Sequence, residues 1–274
     1  MTIVAISREM GSGVYEIGAA VAKALHFEYV DRQILLRAAH AHGGSEAKLV
    51  DAVERRLSLW ERFDEERRRY LIFLEAAYYA FAEQGNLVTA SRSGPFFVRD
   101  VSHALKVRIM APVAVRVRRV MAQEQVDHKA AAAKVRAYDQ EMSGRIDYLF
   151  GLDWTRPEHY DLVINTRDDA WEVYTDLLVA AARHPLYQPT PESLQRVRDL
   201  SLAAQVRAAI ATDLGTKNIN VEVTAQEGRV ALKGVVFRST MLEAAAEVAR
   251  RVPGVSAVSC EAVEIPRVYP GPIM

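Results

Sequence analysis

The chain opens on an apolar run, Ile3-Val4-Ala5-Ile6, which passes through Ser7-Arg8-Glu9-Met10 into the turn Gly11-Ser12-Gly13. Ile17, Val21, Ala24 and Leu25 then recur at helical spacing. A buried strand, a glycine turn and the start of a helix, in that order, constrain the fold more than any other stretch. The arrangement leaves the first backbone N–H groups of the helix without intrahelical partners and aims them at the turn, where they can cradle an anion such as phosphate. Gly11 and Gly13 permit close backbone approach, Ser12 offers a hydroxyl and Arg8 a cation. The Gly-Lys-Ser/Thr ending of the standard phosphate loop is missing, because Val14 and Tyr15 stand where lysine and a hydroxyl are expected. Taken alone, the turn also reads as a plain strand-to-helix connection.

Length and composition set the bounds. A chain of 274 residues, half of them hydrophobic, can bury one large core or two modest ones. Lys+Arg and Asp+Glu both total 35, so the chain lacks the basic excess of a general nucleic-acid binder, and no nucleic-acid partner is expected. Cys260 is the only cysteine, which excludes a disulfide within the chain, and its place on a strand-like segment predicts a packed thiol. The first apolar run is too short for a signal peptide and no stretch approaches a membrane span, so a cytoplasmic protein is the expectation. The seven histidines include His40 and His42, which share no ligand spacing, and no metal site is expected.

Strand-like and helix-like segments alternate through the first part, which predicts an α/β fold with a mainly parallel sheet. Strands are expected at 3–6, 27–30, 86–90, 104–110 and 162–165. Helices are expected at 16–25, 113–123, 127–142 and 170–183, with a charged helical insertion over 33–84. Tyr78-Tyr79-Ala80-Phe81 reads as core of that insertion, since it lacks the basic interleaving of a base-stacking platform. Pro185, Pro189 and Pro191 among polar neighbours predict a linker over 184–198, open to proteolysis and without regular structure. Beyond it the order is helix 200–214, strand 219–224, strand 229–236, helix 241–252 and strand 255–265, joined by the hairpin signal Gln226-Glu227-Gly228. A three-stranded sheet with two helices on one face satisfies that order, able to fold alone, and the tail from Pro266 is left loose.

Several blocks in this order resemble the cytidylate-kinase-like family, within the P-loop nucleoside monophosphate kinase group. They are Ile-Ser-Arg-Glu-Met-Gly-Ser-Gly at 6–13, Phe27-Glu28-Tyr29-Val30-Asp31-Arg32, the strand from Asn86 ending Ser91-Arg92-Ser93-Gly94, and residues 105–112 followed by Arg116 and Arg119. Phe150-Gly151-Leu152-Asp153-Trp154 and Tyr160-Asp161-Leu162-Val163-Ile164-Asn165-Thr166 are similar to the family's C-terminal signature. Residues 199–265 resemble a BON domain through Val221-Glu222-Val223, the run from Gly228 to Val236 and Val252-Pro253-Gly254-Val255. The resemblance thus implies a P-loop kinase-type parallel sheet with helical insertion and lid over 1–183, the linker, and a small α-β-β-α-β BON domain over 199–266.

What the resemblance implies about chemistry is phosphoryl transfer from ATP with Mg²⁺ to a nucleoside monophosphate. Gly11, Ser12 and Gly13 would hold donor phosphate, and Asp31, Arg32 and Arg92 the acceptor. Arg8, Arg116, Arg119 and Arg145 would bring cations to the transferring group, with Arg136 a further candidate. Three departures fall at positions that face anions: Val14-Tyr15, Ser93 in place of an aspartate, and Met142 in place of a lid arginine, with Arg145 one turn further on. Asp31 also reads as a helix cap, and the arginines also read as ordinary charged helix surface. Two readings follow: a nucleoside monophosphate kinase, or a catalytically weak or inactive nucleotide sensor that reports through the BON domain. The resemblance implies a small ligand, a protein or a phospholipid surface as partner of the BON domain; with no signal peptide expected, a cytoplasmic ligand or protein contact comes first and a membrane surface second.

Overall fold

The computed structural model describes residues 1–31, 33, 36, 40, 65–236 and 239–264. The predicted helix start after residue 33, the charge run Glu54-Arg55-Arg56, Arg32, His42 and the tail fall largely or wholly outside the described residues.

Strand β1 (Ile3–Arg8) is buried at every position, as an apolar run flanked by helices on both faces of a parallel sheet should be. It leads into α1 (Val14–Leu25), and the chain continues through β2 (Glu28–Asp31), α2 (Glu65–Gln84), β3 (Leu87–Ser91), the single turn α3 (Gly94–Phe97) and β4 (Ala104–Met110). Then follow α4 (Val113–Glu124), α5 (His128–Phe150), β5 (Leu162–Asn165) and α6 (Trp171–Arg183). The five strands are parallel in the order β2-β3-β1-β4-β5. Alternating β1 residues feed two cores. Val4 and Ile6 pack under α1 and α6, while Ile3 and Ala5 pack under α2 and α3. Tyr78 and Tyr79 are buried in the second of these cores, as expected of the aromatic cluster.

The segment 184–198 is not the irregular linker that its prolines predicted. Pro185 opens a 3₁₀ turn, Pro185–Tyr187, and Pro191 takes the first position of α7 (Pro191–Thr212). Proline suits that position because its missing N–H is one the helix leaves unused. The Thr190 hydroxyl accepts from the Ser193 N–H, and the Ser193 hydroxyl accepts from the Thr190 N–H, closing a capping box. Helix α7 therefore starts nine residues before the predicted 200.

One face of α7 completes the sheet core with Val197, Ala204, Ala208 and Ala211. The other face, Ala203, Val206 and Ile210, belongs to the core of the C-terminal unit. That unit adds β6 (Glu222–Gln226), β7 (Arg229–Val236), α8 (Ser239–Arg250) and β8 (Ala257–Glu264) in the sheet order β6-β7-β8. The β6–β7 pair is antiparallel across a two-residue turn in which Glu227 and Gly228 both have positive φ. The β7–β8 pair is parallel, with α8 as the crossover.

Polar ties cross between the units. Ser193 Oγ lies 2.8 Å from His103 Nδ1, and Arg207 Nη2 lies 2.8 Å from Glu75. Arg68 donates to the carbonyls of Lys217 and Ile219 and to Asn220 Oδ1. Cys260 is exposed rather than packed, and partial burial still pushes its thiol upward. No described helix is long and apolar enough to cross a membrane.

Candidate functional site

The turn after β1 is held from within. Gly11 and Gly13 have φ of +76° and +82°, a region that disfavours any residue with a Cβ. A Cβ on Gly11 would lie 2.7 Å from the Arg116 carbonyl oxygen, and one on Gly13 would lie 2.3 Å from the Trp171 ring. The Ser12 hydroxyl is fully buried and donates to the Glu9 carbonyl at 2.8 Å, so it braces the loop instead of facing a ligand as the sequence suggested. Thr166 Oγ1 donates to the Ser12 carbonyl at 2.6 Å and ties the loop to the end of β5. Gly13 caps α1 without a side-chain hydrogen bond, so the first N–H groups of α1 remain for a ligand.

Beside this helix start opens a cavity of about 620 Å³ lined by Arg8, Gly11, Gly13, Tyr15, Arg119, Tyr138 and Trp171, among others. It lies where the parallel strands end, the edge at which open α/β sheets bind ligands. Val14 is buried in the core under the sheet. Tyr15 points back over the loop, its phenol oxygen hydrogen-bonded by Arg8 Nη1. Arg8 Nε donates to Tyr138 Oη at 3.1 Å, and Tyr138 donates to the Arg8 carbonyl at 2.8 Å. Burial opposes the Arg8 charge, but the surrounding tyrosines outweigh it and hold the pKa above its ordinary value.

Four of the other predicted arginines, Arg92, Arg116, Arg119 and Arg145, are engaged by carboxylates. Arg116 grips Asp139 with both Nη atoms, at 3.0 and 2.7 Å, and reaches Glu9 at 3.3 Å. It is a brace between loop, α4 and α5, and it does not line the cavity. Arg119 lines the cavity but spends its donors on Asp169, Gly11, Thr166 and Asp168 while stacking 4.6 Å over the Trp171 ring. Arg92, directly after β3, and Arg145, on α5, converge on Glu141 from two sides. The Arg92 guanidinium also sits 4.4 Å over the Tyr138 ring. Arg136 is on the exposed face of α5.

Asp31 accepts from the Gln33 N–H at 2.9 Å, and the helix it was expected to cap lies largely outside the described residues. Ser93 is buried and its carbonyl accepts from Phe96 and Phe97, so it starts α3. Met142 is fully buried against Phe96, Ile146, Trp154 and Tyr160, where an arginine would have no room for its charge. Helix α5 runs on past Met142 to Phe150, and Gly151 closes it with φ +63°. Burial pushes the Tyr160 phenol up to about 12 while it donates to the Trp154 carbonyl.

The partners Glu9, Asp139, Glu141 and Asp169, and the tyrosine Tyr138, are the site residues that sequence reasoning missed. The same ion network runs on from Glu9 to Arg108, whose Nη2 lies 2.8 Å away and whose guanidinium stacks 4.7 Å over Trp154.

The uncapped helix start, the positive-φ glycines and the Arg8 cation fit a polyphosphate. The fit to a divalent metal is different. Glu9 and Asp169 are already paired with arginines, and no group of three or more His, Cys, Asp or Glu that could hold an ion gathers among the described residues. Magnesium would therefore be held chiefly by phosphate oxygens and water.

A five-stranded parallel sheet with a glycine loop feeding an open helix start defines an α/β protein of the phosphate-loop type. Residues 3–168 match the model of the cytidylate kinase-like family, and the chain belongs to that family. Residues 198–264 match the BON domain. A cytidylate kinase of Pyrococcus horikoshii is 27% identical over 184 residues, covering 66% of this chain and 88% of that protein. A uronate isomerase of Corynebacterium glutamicum is 32% identical over 102 residues, which are 36% of this chain and a fifth, 20%, of the isomerase. The crystal structure of an uncharacterized protein from Eubacterium ventriosum superposes with a TM-score of 0.50 at 18% identity, covering 66% of this chain and 97% of that one, a likeness of fold.

Proposed function

We propose that the chain is an ATP-dependent nucleoside monophosphate kinase, acting on a cytidylate-like acceptor with Mg²⁺, and that its BON domain is a ligand or interaction module attached to the enzyme. The observation that carries this reading is the position of Tyr138. Its ring is flanked by the Arg8 guanidinium of the phosphate loop at 5.6 Å and by Arg92 at 4.4 Å. Two cations from two strand ends thus meet at one aromatic ring, so that one can serve the donor phosphates and the other the acceptor phosphate. In-line transfer is mostly positioning and charge neutralisation. The loop N–H groups and Arg8 orient the donor phosphates. Arg92 and Arg145 hold the acceptor phosphate, with Glu141 keeping the two guanidiniums side by side. Arg116 and Arg119 keep the loop in shape.

A second reading, a nucleotide sensor with weak or no transfer, draws on the carboxylates. Arg92, Arg116, Arg119 and Arg145 each carry one, so their charge is partly cancelled before any ligand arrives. The deciding experiment is a coupled assay of the full chain with magnesium ATP against CMP, dCMP, UMP, AMP and GMP, beside calorimetric binding of the same nucleotides. Turnover with one acceptor supports the kinase. Binding without turnover supports the sensor, and neither heat nor turnover refutes both. The chain's place in the cytoplasm and the choice of BON partner belong to the same proposal.

A further inference from the structure

Arg8 differs from every other arginine of the site. Arg92, Arg108, Arg116, Arg119 and Arg145 each lie against a carboxylate, whereas among the described residues Arg8 is met by phenols alone. Tyr15 comes from the first turn of α1 and Tyr138 from the middle of α5, so two separate elements reach for one guanidinium. Their rings flank it at 5.1 and 5.6 Å from its central carbon. Tyr15 is 43% exposed, yet its hydroxyl is turned inward to Arg8 over the cavity.

The chemistry of the partner decides what the cation can do. A carboxylate cancels the charge it holds and competes with an incoming phosphate for the same donors. A phenol at neutral pH is an uncharged hydrogen-bond partner, and its ring face attracts a cation. It fixes direction and leaves the charge in place. A loop lysine needs no such support, because it extends from the helix start itself. An arginine one residue before the turn does need it.

We propose that Tyr15 and Tyr138 are positioning residues that hold Arg8 as the charge-retaining cation of the phosphate loop, in place of the lysine this chain lacks. The proposal rests on the reading that the cavity takes nucleoside triphosphate. Tyr15 thereby does through its length what a short hydroxyl residue at the helix start would not, since it both packs on the arginine and bonds to it.

The test is calorimetric binding of magnesium ATP by the full-length protein over a range of salt, with Tyr15→Phe, Tyr138→Phe, Tyr15→Glu and Arg8→Met. Each Phe variant keeps the ring and loses the hydroxyl, and should weaken binding by about 10-fold while the salt dependence keeps its slope. Tyr15→Glu places a carboxylate on Arg8, and both its affinity and its flatter salt dependence should approach those of Arg8→Met. A merely structural tyrosine would lower the Tm without separating these two behaviours. If wild-type protein gives no heat with ATP, the nucleotide reading falls and this proposal with it. If wild type binds and both Phe variants bind equally well, or Tyr15→Glu binds as tightly as Tyr15→Phe, the clamp alone is overturned.

Discussion

Replacing Arg207 by alanine tests whether the two units of this chain are one cooperative body. Arg207 sits on α7 and pairs with Glu75 of α2 at 2.8 Å. Removing one partner of a fully buried ion pair costs about 3–5 kcal/mol, because the other charge is stranded. Here the side chains retain 27% and 17% of their exposure, so water screens part of that cost. A loss of about 2 kcal/mol is expected, equivalent to a fall in Tm of roughly 3–4 °C for a chain of 274 residues.

Trp154 and Trp171 pack in cores of the sheet unit, so their fluorescence follows that unit, whereas far-UV circular dichroism follows both. The two signals should shift together in Arg207→Ala. The deficit should also depend on pH. Burial foremost raises the Glu75 carboxyl above its ordinary 4.5, and Arg207 opposes the rise. Loss of Arg207 raises it further. A raised carboxyl favours the fold below its unfolded pKa and loses that contribution as pH climbs through the folded value. The deficit should therefore be full near pH 8 and shrink towards pH 4.5. An unmoved tryptophan transition beside a separate early dichroism phase would refute the shared core, and a deficit that grows on acidification would refute the role given to Glu75.

Gly13→Ala should lower the Tm more than Gly151→Ala, measured by thermal unfolding. Both glycines have positive φ, but only the Gly13 Cβ would strike a neighbour, the Trp171 ring, while Gly151 has nothing within 4 Å; equal losses would show that the ring yields freely. Limited proteolysis should leave 184–198 intact as long as the sheet unit is folded, and fragment 199–264 made alone should bind a hydrophobic dye through the α7 face that carries Ala204, Ala208 and Ala211. A clean cut in that segment releasing a compact fragment would count against the packing described.

The strands were legible because an apolar run inside a parallel sheet has little else it can be: β4, β5 and β7 begin and end where the sequence placed them. The glycine loop was legible because positive φ admits few residues. The prolines of 184–198 misled, since proline breaks a helix from within but starts one well, and only the Thr190–Ser193 cap separates the two cases. The end of α5 was misplaced at Met142 because Ser143 and Gly144 weaken local propensity, while Ile146 buried against Phe96 carries the helix onward. At the site, the arginines were visible by type. Most of their partners were not, because Glu9, Asp139 and Asp169 meet them across separations of up to about a hundred residues, which no local pattern encodes; the Glu141–Arg145 pair alone, at i,i+4 on one helix, was there to be read.

The α7 helix has a consequence for how this protein is made. The ribosome delivers the chain from its N-terminus, and the stretch that matches the cytidylate kinase-like family is complete at residue 168. Its core is not complete there, for Phe73, Ala76 and Ala77 belong to a cluster that also needs Val197, Ala204, Ala208 and Ala211. At roughly 5–20 residues per second the wait between the two is a matter of seconds, long against the folding of a small domain. During that interval α2 offers the cell an apolar face. The nascent sheet unit should be a client of chaperones until the first helix of the BON domain emerges and covers it.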